Sequence, residues 1–311
     1  RDSLLAAGFK IFFLRGYRST PELSYAVRYT KSTCGIMVTA SHNPPSDNAV
    51  KVYWSGGVQV LPPHDKGIIE KVMDVDEINR VPFDEGVQEE RVVFMEEEID
   101  PAFVKAVLQQ ATSSSRELSV LYTPLHGVGA TAVCPVLQGA GFQNVRLYAP
   151  QAEPDGDFPN VPGHVANPEN PDVLTGAIEE ARTRSDDVVM ASDPDCDRLG
   201  AAAALRPEKD SEWRTFTGNQ LGALLAEWVL ETKKQHNVLQ STDTIVTTLV
   251  TSGLIRRIGA KYGVNVIDGL QVGFKWIGRT IDDIGPKHFI FGCEESLSLI
   301  HISEPTRQKP I

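Results

Sequence analysis

Apolar runs of four or five residues recur along this chain, each preceded by a stretch of helical spacing and followed by a loop rich in Gly, Pro, Asp, Glu or Ser. Runs so short, bounded by turn residues, read as buried strands, and their alternation with helical stretches is the grammar of an α/β fold. In the first unit residues 21–30 are helix-like and residues 35–38 form the strand, followed by Thr39-Ala40-Ser41-His42-Asn43-Pro44-Pro45. The second unit places a helix over 102–111, a strand over 118–122 and a helix over 129–139. Its strand at 188–191 then delivers Asp193-Pro194-Asp195-Cys196-Asp197-Arg198. The third begins at Thr217, which caps a helix to about residue 231, runs through a strand over 244–250 and a last strand over 288–291, and ends in Gly292-Cys293-Glu294-Glu295-Ser296. The polar stretches 81–98 and 205–214 are the expected joints between units.

Composition narrows the classes of function. A chain of 311 residues with 41% hydrophobic and 23% charged residues is ordinary globular material, long enough for two or three cores. Its formal charge of −11 argues against a nucleic-acid surface, because phosphate contacts need clustered Lys and Arg. No run has the length of a membrane span and the N-terminus lacks a signal-peptide pattern, so a cytoplasmic location is expected. Cys34, Cys134, Cys196 and Cys293 lack the close pairing of a zinc cluster or disulfide framework.

Three loops carry the candidate chemistry. Ser41 follows a strand, where open α/β sheets hold ligands, although a serine there also reads as a helix cap and Asn-Pro-Pro as a plain turn. An esterase elbow is excluded, because Thr39 and Asn43 stand where glycines are needed. Asp193, Asp195 and Asp197 alternate in sequence, so extended backbone aims all three to one side. Converging carboxylates favour a cation, and an all-oxygen set suits Mg²⁺; the competing reading is a solvated acidic turn. An EF-hand fails because Arg198 and Ala204 occupy the positions of its Gly and Glu, whereas a haloacid-dehalogenase-type site remains a rival. Glu294, Glu295 and Ser296 offer the acceptors and hydroxyl that bind sugars, or form a solvated turn. A cation site with a loop serine suggests phosphoryl transfer.

Taken in order and spacing, these three motifs resemble the phosphoserine, metal and sugar loops of the α-D-phosphohexomutase family. Residues 122–129, 154–159 and 213–225 resemble its phosphoglucomutase-2-like branch. The resemblance implies repeated three-layer α/β domains with mixed sheets around a central active-site cleft. It implies that phosphorylated Ser41 donates to a hexose phosphate, interconverting glucose 1-phosphate and glucose 6-phosphate through glucose 1,6-bisphosphate. Mg²⁺ would be held by Asp193, Asp195, Asp197 and Ser41, with His42 and Arg198 positioning the phosphoserine and its charge and Glu294 and Ser296 binding the sugar. Lys51 matches a family lysine that is a candidate for proton transfer, a role that requires a depressed pKa. Lys275 is a further substrate candidate. Phosphomannomutase, phosphopentomutase and a non-catalytic sugar-phosphate-binding fragment are the alternatives, and oligomeric state is unreadable.

The same resemblance sets expected domain limits: a partial first domain over 1–98, a second over 99–212 and a third over 213–296. Residues 297–311 are expected to be a non-native, adapter-derived tail. The family's N-terminal segment and fourth domain, with its phosphate clamp, are expected to be absent, leaving this fragment itself inactive.

Overall fold

The computed structural model describes residues 1–206 and 211–296, together with the backbone of Leu299–Ile300. The first unit comprises α1 (Asp2–Ala6), β1 (Ile11–Phe13), α2 (Thr20–Tyr29), β2 (Cys34–Val38), β3 (Val50–Trp54), α3 (His64–Met73), α4 (Phe83–Gln88), β4 (Val92–Phe94) and α5 (Glu96–Leu108). Helix α2 starts where Ser19 accepts a hydrogen bond from the Glu22 N–H and Pro21 presets the helical φ. Its apolar face, Tyr25 and Ala26, packs on Ile99 and Phe103 of α5.

The second unit holds β5 (Val120–Thr123), α6 (Val133–Gly139), β6 (Val145–Leu147), α7 (Thr175–Arg184), β7 (Val188–Ser192), β8 (Leu199–Ala204) and β9 (Trp213–Thr215). Its five-stranded sheet runs β6-β5-β7-β8-β9. The first three strands are parallel and the last two join antiparallel. All four residues of β5 are buried, as a strand covered on both faces requires.

The third unit holds α8 (Gly218–Gln235), β10 (Thr244–Thr248), α9 (Leu254–Tyr262), β11 (Asn265–Leu270), α10 (Phe274–Ile284), β12 (Phe289–Cys293) and β13 (Leu299–Ile300), with sheet order β11-β10-β12-β13. A reciprocal capping box between Thr217 and Gln220 starts α8. The α/β class and the mixed sheets are as the sequence implied, although the first unit's strands form two separate pairs, β1-β4 and β2-β3.

Both expected joints include ordered elements among the described residues. Residues 81–98 contain α4, β4 and the start of α5, and β4 pairs in parallel with β1 while Phe13, Phe83 and Phe94 pack edge to face. Helix α5 begins six residues ahead of the expected start because Glu96, Glu97 and Glu98 favour a helix N-terminus and Ile99 is wholly buried. Trp213–Thr215, assigned to the third unit by sequence, pairs with β8 and completes the second sheet. The expected tail lies outside the described residues except for Leu299–Ile300, which pair antiparallel with Gly292 and Cys293.

Candidate active site

All three candidate loops turn out to be hairpin connections. The Ser41 loop joins β2 to β3, which pair antiparallel from Cys34 with Trp54 to Val38 with Val50. The acidic loop joins β7 to β8 immediately beyond the Ser192–Leu199 pair. The Glu294 loop follows the Cys293–Leu299 pair. A hairpin holds both ends of its loop on paired strands, so each loop is fixed at two points.

The first two hairpins meet. Ser41 Oγ donates to Asp193 Oδ2 at 2.8 Å, and His42 Nδ1 lies 3.4 Å from that hydroxyl. Ser41 has φ 58°, in the left-handed region that non-glycine residues rarely occupy. The Thr39 hydroxyl holds it there by accepting the Ser41 N–H at 2.9 Å. Lys51, the second residue of β3, places Nζ 2.6 Å from Asp195 Oδ2 and 2.9 Å from Asp197 Oδ2. Thr20 and Thr39 also donate to Asp195 Oδ2, at 2.9 and 3.3 Å.

Within the acidic loop Asp193 Oδ1 accepts the N–H groups of Asp197 and Arg198, closing the turn around a left-handed Cys196. Gly127 makes this packing possible, because a Cβ there would lie 2.1 Å from the Pro194 Cα. Burial pushes the Cys196 thiol up to about 12, so it is an inert packing group.

Carboxyl oxygens of Asp193, Asp195 and Asp197 lie within 4.8 Å of one another. Burial and then repulsion from Asp197 and Asp195 raise the Asp193 carboxyl well above the usual carboxylate range, and burial followed by Asp195 raises Asp197. Burial acts the same way on Asp195, but the Lys51 ammonium and the donors on Oδ2 outweigh it and bring Asp195 below that range. Even with the Lys51 ammonium and the Arg198 guanidinium beside them, Asp193 and Asp197 stay above the ordinary carboxylate range. Among the described residues, Asp195 Oδ1 and Asp197 Oδ1 are buried oxygens without a hydrogen-bond partner. Orphaned buried carboxylate oxygens in an all-oxygen cluster fit a hard divalent cation such as Mg²⁺.

Lys51 departs from expectation. Burial alone would lower its pKa, but Asp197 and Asp195 together raise it, so the ammonium is held and not released. His42 goes the other way: burial, with Arg198 and Lys51 adding to it, lowers its pKa to about 4 and leaves a neutral imidazole beside Ser41. Arg198 Nε is buried without a hydrogen-bond partner and stands 3.9 Å from Asp197 Oδ1. It has capacity for an anion.

Glu294 Oε2 accepts the Gly273 N–H at the start of α10, while Oε1 accepts from the Ser296 hydroxyl at 3.2 Å. This carboxylate anchors its loop to a helix N-terminus, where negative charge is favoured. Asn219 holds Glu295 at 3.3 Å. Glu169 feels Arg198 from the acidic loop and Glu295 and Glu294 from the third, so the two loops face a common region. Lys275 instead stands 3.9 Å from Asp65 of α3 and packs over Trp276, on the contact between third and first units. Nearby, Gly278 admits Val58 so closely that a Cβ would come within 2.9 Å of it.

Thr20 was not found by sequence reasoning. Its signal, Ser19-Thr20-Pro21, marks a helix start, and nothing local connects it to an aspartate 175 positions away.

A serine hydroxyl seated against an acidic oxygen cluster at the meeting of α/β units is an arrangement that phosphoryl chemistry can use. The chain matches family models described as Phosphoglucomutase/phosphomannomutase, alpha/beta/alpha domain I over residues 2–79, domain II over 101–205 and domain III over 217–308. It belongs to the phosphoglucomutase/phosphomannomutase family, the α-D-phosphohexomutases. A Mus musculus phosphopentomutase is 32% identical over 311 residues, covering 95% of this chain and 48% of that relative. A Staphylococcus haemolyticus phosphoglucomutase is 31% identical over 300 residues, covering 94% and 52%. The chain thus spans about half the length of these curated relatives. A solved structure from Thermus thermophilus named as a phosphomannomutase shares the fold, with a TM-score of 0.75 at 24% identity over 97% of this chain and 63% of that one.

Proposed function

We propose that this chain carries the phosphoserine, metal and sugar loops of a phosphoglucomutase that interconverts glucose 1-phosphate and glucose 6-phosphate through glucose 1,6-bisphosphate. The observation that carries this reading is the 2.8 Å contact of Ser41 Oγ with Asp193, inside a cluster whose Asp195 and Asp197 each present an orphaned oxygen. Asp193, Asp195 and Asp197, with Ser41 as the fourth partner, would hold Mg²⁺. When bound, Mg²⁺ supplies positive charge that neutralises phosphate oxygens.

The chain's own residues account for the remaining chemistry. In the phosphorylated form a new P–O bond forms to the sugar hydroxyl as the Ser41 Oγ–P bond breaks, and the sugar's proton passes through the neutral His42 to the departing Ser41 Oγ. The rotated bisphosphate then gives its other phosphoryl group to Ser41, whose proton returns through His42 to the sugar oxygen that is released. Lys51, held as an ammonium by Asp195 and Asp197, and Arg198 would offset phosphate charge. Glu294 and Ser296 would receive the sugar hydroxyls, while Lys275, paired with Asp65, would brace the contact between the third and first units. Four unpaired cysteines fit a reducing cytoplasm.

The relatives' names include a phosphopentomutase as well as a phosphoglucomutase, so substrate choice is the point to test. The complete gene product should turn over glucose 1-phosphate faster than mannose 1-phosphate or ribose 1-phosphate, and Ser41→Ala should abolish turnover of all three. Preference for ribose 1-phosphate would replace the glucose assignment. Undiminished turnover by Ser41→Ala would remove the phosphoserine route altogether.

A further inference from the structure

Thr20 touches the acidic loop twice. Its backbone N–H donates to the Asp195 carbonyl at 2.9 Å, and its Oγ1 donates to Asp195 Oδ2 at 2.9 Å. Both residues are buried, Thr20 to 3% exposure and Asp195 to 4%. Two bonds from one residue, one to backbone and one to side chain, fix the position of Asp195 and the rotation of its carboxylate.

The local sequence frees both donors. Thr20 is the first residue of α2, so its N–H has no acceptor within the helix, and Pro21 brings no competing N–H. Ser19 is occupied by capping Glu22. Arg18, just ahead of the helix, grips Asp100 of α5 with two nitrogens at 3.0 and 2.7 Å, which ties this turn to the body of the first unit. The clamp therefore stands on a rigid support.

The consequence is an asymmetry in Asp195. Oδ2 receives Thr20, Thr39 and Lys51, all from the first unit, whereas the buried Oδ1 receives no donor. Lys51 reaches Asp195 from the end of a long side chain and divides its ammonium between Asp195 and Asp197, and Thr39 lies farther away at 3.3 Å. Thr20 is the short donor that is also fixed by its own backbone.

We propose that Thr20 is a positioning residue for a divalent cation, locking Asp195 so that Oδ1 is the oxygen presented to the metal. The assignment rests on the cation reading of the acidic cluster given above. It makes the metal site a shared product of two units: the second supplies the ligand and the first decides which way the ligand faces. Partners behind a metal ligand typically change affinity by about 10–100-fold.

The test is titration of the 311-residue chain with Mn²⁺, followed by electron paramagnetic resonance, for the parent, Thr20→Val, Thr20→Ser and Asp195→Asn. Valine keeps the shape and removes the hydroxyl. The expected result is about tenfold weaker Mn²⁺ binding by Thr20→Val with an unchanged circular dichroism spectrum, and near-parental binding by Thr20→Ser. Should Thr20→Val melt below the assay temperature, Thr20→Ala replaces it with the same expectation. Parental affinity in the variant lacking the hydroxyl overturns the proposal, as does equal weakening by Thr20→Ser, which would assign the effect to the methyl group. A parent that binds no Mn²⁺, or binding untouched by Asp195→Asn, overturns the cation reading itself and is told apart by that control.

Discussion

Lys51 is the residue on which the charge balance of the site turns. It is partly buried and serves two carboxylates at once, Asp195 and Asp197, of which Asp195 is almost wholly enclosed. Removing one partner of a buried ion pair leaves uncompensated charge, a loss of about 3 kcal/mol or more. Lys51→Met should therefore be destabilised by about that amount in urea denaturation with a chelator present. Millimolar Mg²⁺ should recover more stability in the variant than in the parent, because a bound cation substitutes for the missing ammonium. Equal losses with and without Mg²⁺ would show that the acidic cluster does not take a cation. The same contacts explain why a depressed lysine pKa, readable as a possibility from sequence, is not found: two carboxylates outweigh the desolvation of one ammonium.

Between helices, the pairing of α2 with α5 carries a buried acid. Glu22 is 2% exposed, and burial, followed by its hydrogen bond with Asp100, raises its pKa to about 8 from an ordinary 4.5. The folded chain thus keeps a proton that the unfolded chain releases between those values. Stability from this group is complete below about pH 4.5, falls as pH rises through about 8 and is level above it. Glu22→Gln keeps a donor for Asp100 but cannot ionise. Its stability relative to the parent should rise steadily between those two pH values, measured as urea midpoints across that range. Parallel curves for the two proteins would contradict the assignment.

Elements were legible where a local pattern was strong. The helix at 21–30, the strand preceding Ser41 and the capped helix after Thr217 all lie within a residue or a few of where the spacing puts them. Elements defined by distant partners were not. Strand β8 reads Leu-Gly-Ala-Ala-Ala-Ala, a composition with better helical than strand propensity, and is extended because β7 and β9 flank it. Strand β4 follows the charged run Glu89-Glu90-Arg91 and is defined by pairing with β1. The hairpin nature of all three site loops was hidden for the same reason.

Across the whole molecule, the site is assembled from units far apart in sequence. Ser41, Thr20 and Lys51 come from the first unit and the three aspartates from the second, while Glu294 and Ser296 come from a third whose helix α10 packs against the first. The motifs mark three candidate loops in the sequence, since each is contiguous. Their convergence, and the role of Thr20 within it, depends on packing over 152 to 175 positions and has no local signature. A phosphoryl carrier built this way should be labelled at one place. The complete gene product, incubated with Mg²⁺ and glucose 1,6-bisphosphate radiolabelled in phosphate and then digested, should carry one phosphoryl group on the peptide containing Ser41 and none in Ser41→Ala. Turnover by an unlabelled parent, or equal labelling of Ser41→Ala, would contradict the account.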